Sequence, residues 1–241
     1  MKIIVTFRTE NLCLPLAGNH ILQGFIYRVV SADPRYAAFL HDAGYRAEEK
    51  HFKLFLFRPL YGKYTVSGKQ ITFPEYAHLE LRSPSADFIQ AFLTACRPGM
   101  RFFLQNQPVT VTDCRLENAP LMQENMLVRT TSPITVHRTD EMRHTIYYRP
   151  SDADFYELIA ENALRKWSSF YGDAPFDFSL EPAENASFRR LITTFKNIYI
   201  TAWYGDFVLG GSPQVLDFLY HTGLGARNSQ GFGMFEPVDI K

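Results

Sequence analysis

Leu219-Tyr-His-Thr-Gly-Leu-Gly-Ala-Arg-Asn-Ser-Gln-Gly-Phe-Gly-Met-Phe-Glu-Pro-Val238 reads as the end of an apolar helix, a glycine-rich loop and a closing strand. Gly223, Gly225, Gly231 and Gly233 surround a polar centre of Arg227, Asn228 and Ser229. Glycine serves where the backbone needs positive φ or where nothing must stand between backbone and ligand. Exposed N–H groups beside one arginine suit a phosphate chain. The familiar nucleotide motifs do not fit. A P-loop requires Gly-Lys-Ser/Thr, and the lysine is missing. A dinucleotide fold requires Gly-x-Gly-x-x-Gly after a strand and before a helix, whereas Asn228 occupies the third glycine position and the order here is helix, loop, strand. A longer polyanion is a better match than a nucleotide cofactor.

Working outward from this loop, the pattern repeats an architecture twice. Lys2–Arg8 reads as a strand rich in β-branched residues, and His20–Val30 has helical spacing after Gly18-Asn19. Asp33-Pro34 opens a second helix to about Asp42, closed by Gly44. Residues 52–59 alternate as a strand, and Tyr64–Val66 with Gln70–Phe73 form a hairpin around Ser67-Gly68. Ser83-Pro84 starts a helix to Cys96, and Phe102–Leu104 and Pro108–Arg115 are strands. After a polar linker at 117–125, strands are expected at Met126–His137, Thr145–Tyr148, Phe176–Glu181, Ile198–Leu209 and Phe232–Val238, with helices at Ser151–Phe170 and Ser212–His221. Each half has a βαββαβ-like order. The expectation is an α+β chain of two tandem ferredoxin-like (RRM-like) domains, 1–118 and 126–241.

Composition narrows the class. Hydrophobic residues make up 46 % of the 241, enough for a packed core. The 25 basic and 25 acidic residues balance, which argues against a histone-like nonspecific binder but leaves room for a local basic groove. Such a concentration exists: Arg46, Lys50, Lys53, Arg58, Lys63 and Lys69 lie within 45–69 against only Glu48 and Glu49. Cys13, Cys96 and Cys114 are far apart and include no Cys-x-x-Cys pair, so no structural zinc site is expected. Free thiols point to a reducing cytoplasm. No apolar run approaches the ~20 residues of a membrane helix, and no membrane partner is expected.

The tail Gly-Leu-Gly-Ala-Arg-Asn-Ser-Gln-Gly-Phe-Gly, residues 223–233, closely resembles the C-terminal glycine-rich motif of the CRISPR repeat-processing endoribonucleases of the RAMP superfamily. Gln23-Gly-Phe-Ile-Tyr27, Phe39-Leu-His41, Lys53-Leu-Phe55 and Thr131-Ser-Pro-Ile134 resemble further segments of that family, in the right order along the whole chain. The resemblance implies ferredoxin-like domains and a CRISPR repeat RNA as substrate. It also implies cleavage to a 5′-hydroxyl and a 2′,3′-cyclic phosphate. A noncatalytic RAMP subunit that only binds repeat or guide RNA is the alternative. Other CRISPR-associated proteins of an effector complex are candidate partners, and the chain is expected as a monomer or homodimer.

That chemistry needs little from a protein. RNA supplies its own nucleophile, the 2′-hydroxyl, at high effective molarity. The enzyme aligns it, moves protons and neutralises the phosphorane. No metal and no cofactor are expected. A side chain that titrates near neutrality suits the proton steps, and an ammonium suits the developing charge. His41, before Gly44, is the candidate acid/base; His51 competes, and His20 and His221 are further alternatives. Lys53 is the candidate stabiliser, with Lys50 the alternative. The connection between His41 and Lys53 is longer than the family's usual one, and residues 43–50 look like an insertion. Tyr27 is the candidate that orients the ribose. Gly223, Gly225, Arg227, Asn228, Ser229, Gly231 and Gly233, with Lys50 and His51, are expected to hold RNA.

Overall fold

The computed structural model describes residues 1–40, 44–142 and 144–238. In chain order the first half contains β1 (Lys2–Arg8), β2 (Leu12–Pro15), α1 (Asn19–Val30), α2 (Pro34–Ala38), β3 (Tyr45–Ala47), β4 (Lys50–Phe52), β5 (Leu56–Phe57), β6 (Thr65–Ser67), β7 (Gln70–Phe73), β8 (Tyr76–Arg82), α3 (Ala86–Ala95), β9 (Arg101–Leu104) and β10 (Gln107–Glu117). The second half contains β11 (Asn125–Thr130), β12 (His137–Thr139), β13 (Thr145–Tyr147), α4 (Ala153–Tyr171), β14 (Phe178–Pro182), β15 (Arg189–Phe195), β16 (Ile198–Tyr204), β17 (Asp206–Gly211), α5 (Pro213–Thr222) and β18 (Phe235–Pro237).

Two antiparallel sheets organise these elements, in the orders β5-β8-β1-β10-β9 and β14-β17-β11-β18. Stripped of the extra edge strand β9, the two orders are the same: second, third, first, fourth strand of a βαββαβ unit. The tandem ferredoxin-like arrangement expected from the pattern is the fold of the molecule. Backbone between the halves is irregular from 118 to 124; a division into domains at 118 and 126 remains a proposal, for which limited proteolysis is the direct check.

Each sheet packs one face on its helices. Ile3, Val5 and Phe7 of β1 meet Leu22, Phe25, Ile26 and Val29 of α1 and Phe88 and Phe92 of α3 in one core. Phe155, Ile159, Ala163 and Trp167 of α4 meet Val128, Phe207, Leu209 and the α5 residues Val215, Leu216 and Leu219 in the other. Leu54 belongs to the second core although it lies in the first half of the chain, and Tyr45 and Phe52 pack against the same cluster. The 45–54 segment is thus docked on the second half.

The opposite face of the first sheet is also covered. Glu80 and Arg82 of β8 are buried. Arg82 donates to Glu80, to Glu236 and to the carbonyl oxygens of Tyr220 and Phe235, and its guanidinium lies 3.7 Å from the Tyr220 ring centroid. A buried cation needs such a complete set of acceptors, and this one draws them from both halves.

Four expected strands are shorter or broken. Residues 52–59 do not form one strand, because Leu54 adopts φ 45° and turns its side chain into the second core. The 126–137 stretch breaks after Thr130, where Pro133 has no N–H to give a ladder. Residues 198–209 break at Gly205, where a Cβ would collide with the Phe188 ring. The closing strand shrinks to Phe235–Pro237. The sequence pattern did not anticipate β2, β3, β8 or β15. The expected end of the second helix near Asp42 lies outside the described residues.

Candidate RNA interface

The glycine-rich segment is a folded knot rather than an open loop. Gly223 to Gly225 and Gly231 to Phe235 are buried, and only 226–230 are partly accessible. Its main-chain donors are largely spent inside the protein: Leu224 N–H to Gly233, Ala226 N–H to Thr135, and Gly233 N–H to Pro133. Thr131 and Ser132 both donate to the Met234 carbonyl, and Met234 N–H donates to Ser132 Oγ. The Thr131–Ile134 stretch therefore laces the loop down instead of continuing β11. Gly233, at φ 79°, has no room for a side chain, because a Cβ would strike the Leu224 carbonyl. Gly225, at φ 66°, would bring a Cβ to 2.7 Å from the Thr135 oxygen. Close backbone approach, more than ligand access, explains these glycines.

The accessible remainder is a turn gripped from both halves. Arg227 is left-handed, at φ 60°, and Asn228–Gln230 form a single 3₁₀ turn. From α1, Asn19 Nδ2 donates to the Gln230 carbonyl at 2.9 Å and Gln23 Nε2 to the Ser229 carbonyl at 2.7 Å. Asn228 is committed internally, with Nδ2 donating to the carbonyls of Leu224 and Phe232. Arg227 Nη1 donates to Gln230 Oε1 at 3.1 Å, while its buried Nε has no partner.

Beside this turn is a cleft of about 230 Å³ lined by residues 51–55, Asn162, Lys166, Thr222 and residues 226–229. His51 and Lys53 stand on one wall, Arg227 on another and Lys166 below. Across Asn162 and Ala226 a second cleft of about 410 Å³ carries Lys50, His137, Arg138 and Arg165, with Glu161. The hairpin β3–β4 positions Lys50 and His51, and it packs on α4 of the second half. A larger cavity, about 1270 Å³, lies elsewhere, among α1, α2 and α3. It has carboxylates as well as arginines on its wall and contains neither Lys53 nor the glycine turn, so the chemistry points to the smaller cleft.

Lys53 is half-buried, and its ammonium donates to the Leu40 carbonyl. A Cβ at Gly44 would lie 3.7 Å from Lys53 Nζ. The lysine thus sits against the backbone on either side of 41–43. His41 itself lies outside the described residues. Tyr27 is half-buried on α1, its ring edge-on to Phe55 at 5.7 Å, and burial raises its phenol above the usual range. Phe55 is in the wall of the cleft, so Tyr27 supports that wall. Lys50 and His51 are exposed on β4. His20 packs edge-on against Phe195, and His221 is buried with Nδ1 on the Asp217 carbonyl; neither lines the cleft.

Three residues of this region escaped the sequence reading. Lys166 is 2 % exposed and donates to the Gly223 carbonyl and to Asn228 Oδ1. Burial pushes its ammonium down to about 7. Its position on the apolar stripe of α4, with Phe155, Ile159, Ala163 and Trp167, was a usable signal. His137 is held down to about 4 by burial, then by Arg227 and Lys50. Asn162 lines both clefts, and its buried Oδ1 has no partner. Nothing in the local sequence marks the last two. Among the described residues, no three His, Cys, Asp or Glu side chains gather where they would hold a metal ion.

Known proteins are similar to this chain in sequence and fold. The chain is 29 % identical to a protein named CRISPR-associated endoribonuclease Cas6 1 from Methanocaldococcus jannaschii, over all of this chain and 94 % of that protein. It is 25 % identical to CRISPR-associated endoribonuclease Cas6 from Pyrococcus furiosus, over 92 % of this chain and 82 % of that one. A solved structure described as CRISPR associated protein Cas6 superposes with a TM-score of 0.81 at 26 % identity, covering 99 % of both chains. A Cas6-related protein from Pyrococcus furiosus, at 20 % identity, shares the fold with a TM-score of 0.84, over 100 % of this chain and 99 % of that one. The family model for the C-terminal part of CRISPR associated protein Cas6 matches residues 116–237, more than half of the chain, and the chain accordingly belongs to the Cas6 family.

Proposed function

We propose that this protein is an endoribonuclease that cuts CRISPR repeat transcripts into guide RNAs, without a metal ion, by attack of a 2′-hydroxyl on the adjacent phosphate. The observation that carries the reading is the cleft, in which Lys53, next to the backbone flanking His41, faces the Arg227 turn. The endoribonuclease names of its relatives support it.

In this reading the RNA backbone crosses between the halves. Arg227, the turn of Asn228 and Ser229, and Lys50 and His51 hold phosphates. The four glycines keep the turn in shape. His41 takes the proton from the 2′-hydroxyl as that oxygen attacks phosphorus, the bond from phosphorus to the 5′-oxygen breaks, and the leaving oxygen acquires a proton. The products are a 2′,3′-cyclic phosphate and a 5′-hydroxyl. Lys53 offsets the charge that grows on the phosphorane. Tyr27, packed on Phe55, steadies from the α1 side the wall that orients the ribose. The internal nucleophile makes a metal-generated hydroxide unnecessary.

The test is incubation of purified protein with repeat RNA in the presence of a chelator. Cleavage at one position is expected, with a cyclic phosphate on the upstream fragment and no reaction when that ribose is 2′-deoxy. Tight binding with intact RNA would instead assign the chain to the noncatalytic RAMP role. His41→Ala is expected to abolish cutting and keep binding; wild-type turnover by that variant would move the proton-transfer role to His51 or His20.

A further inference from the structure

Lys166 presents an unbalanced charge. Its ammonium is buried, and both of its acceptors, the Gly223 carbonyl and Asn228 Oδ1, are neutral. A buried cation normally has a carboxylate or phosphate beside it, as Arg82 has in Glu80 and Glu236. The same cleft is bordered by further basic side chains. His51 and Lys53 face the cleft from the β4–β5 segment, and Arg227 from the glycine turn. Next to it on α4, Arg165 is paired with Glu161, and on α5 His221 is paired with Asp217. Among the described residues, no carboxylate lines the cleft. The wall also keeps two buried polar atoms without partners, Asn162 Oδ1 and Arg227 Nε.

The contacts of Lys166 are mechanical as well as electrostatic. Nζ ties α4 to Gly223 and Asn228, and Asn228 in turn holds Leu224 and Phe232. One lysine thus fastens both ends of the glycine segment. The shape of the turn that presents Arg227 depends on it.

Building on the RNA-processing reading, we propose that Lys166 is a positioning residue, a buried cation beneath the 226–229 turn whose missing counter-ion is one phosphate of the RNA bound in the cleft. The depressed proton affinity of the free lysine agrees with this. A phosphate arriving in the cleft stabilises the ammonium, so RNA binding above neutral pH takes up a proton at Lys166. Affinity then falls as pH rises through the value of the free lysine, by up to about tenfold per pH unit.

The experiment measures Kd for a repeat RNA made uncleavable by a 2′-deoxy nucleotide at the cut, from pH 6 to 8.5 at constant ionic strength. Wild type is expected to bind with constant affinity up to about pH 7 and more weakly above it. Lys166→Met is expected to bind weakly with no such slope, and His51→Ala to keep the slope. A Lys166→Met protein that retains the wild-type slope, or a His51→Ala protein that loses it, overturns the proposal. Should Lys166→Met fail to fold, calorimetry of wild type at pH 8 in buffers of different ionisation enthalpy decides the matter: proton uptake on binding supports the assignment, and none refutes it. A wild-type chain that binds no repeat RNA at any pH overturns the RNA reading as well, whereas binding without proton linkage overturns the Lys166 proposal alone.

Discussion

The two halves place different things in the same slot of the same fold. Between the second helix and the fourth strand, the first half turns at Gly99 and adds the edge strand β9. The second half fills that slot with the glycine knot from Gly223 to Met234. The turn at Gly99 is exposed, and a Cβ there would meet nothing within 4 Å. The knot is held by α1, by the 131–135 segment and by α4. A fold leaves such connections free, and function is grafted onto whichever one the chain elaborates. The sharpest way to break this comparison is to substitute both glycines. Gly233→Ala combines left-handed strain with a backbone collision and is expected to cost about 3 kcal/mol or more, measured by urea unfolding. Gly99→Ala carries only the conformational penalty, about 1 kcal/mol. Equal losses would mean that the knot yields as easily as an ordinary turn.

A second contrast lies in the chemistry each half contributes. In the proposed reaction the first half supplies Lys53 for the chemistry, and the second half supplies Arg227 for the grip. Lys53→Ala is expected to lower the single-turnover rate about 100-fold, in the range for loss of one charge-stabilising donor, with the Kd for uncleavable RNA changed less than about threefold. A Lys53→Ala enzyme with full activity would transfer the role to Lys50. Arg227→Ala is expected to do the reverse. It should raise Kd about tenfold and flatten the salt dependence by about 0.7 in logarithmic slope, as for one phosphate contact on a single strand. The cleavage rate at saturating RNA should hardly change. A rate defect in that variant would erase the division of labour.

These contrasts also explain what was legible in the sequence. Lys2–Arg8 was visible as a strand because of its β-branched run, of which Ile3 and Val5 face one core with Phe7, and it occupies the bounds that its pattern predicts. Tyr76–Arg82 was missed although Ala77, Leu79 and Leu81 alternate inward, because His78, Glu80 and Arg82 between them look like a solvated loop. Their polar face is in fact the joint between the halves, which no local pattern announces. The helix, loop and strand order of the tail was read directly. That several of its amides are spent inside the protein was not, since the partners Pro133 and Thr135 lie 100 and 91 residues away in the chain from Gly233 and Ala226. For the cleft, Lys53 and Arg227 were accessible to motif reasoning, whereas His137 and Asn162 are brought in by tertiary packing alone. Lys166 stands between these cases: an ionisable residue on an apolar helix stripe is visible in principle, but the sequence does not say which carbonyls it will meet.

A last effect separates the titrating interior of the second half from its surroundings, through stability instead of activity. In the free protein Lys166 has its proton affinity lowered from 10.5 to about 7 by burial. Between those values the unfolded chain holds a proton that the folded chain has released, so stability rises with pH. Below about 7 both states are protonated, and the lysine adds no pH dependence. The slope is at most about 1.4 kcal/mol per pH unit. His137, lowered from 6.5 to about 4, acts in a separate window. Its contribution is complete above 6.5 and is lost as pH falls towards 4, when the unfolded chain takes up a proton first. Its shift spans fewer pH units than that of Lys166, so its total contribution is the smaller one. Urea midpoints from pH 4 to 9 should therefore change differently in two variants. Lys166→Met should remove the rise between 7 and 9 and leave the acid limb, whereas His137→Gln should flatten the acid limb and leave the alkaline rise. If Lys166→Met leaves the alkaline rise intact, the charge beneath the knot is already balanced in the free protein, and the second half has no vacancy for a phosphate to fill.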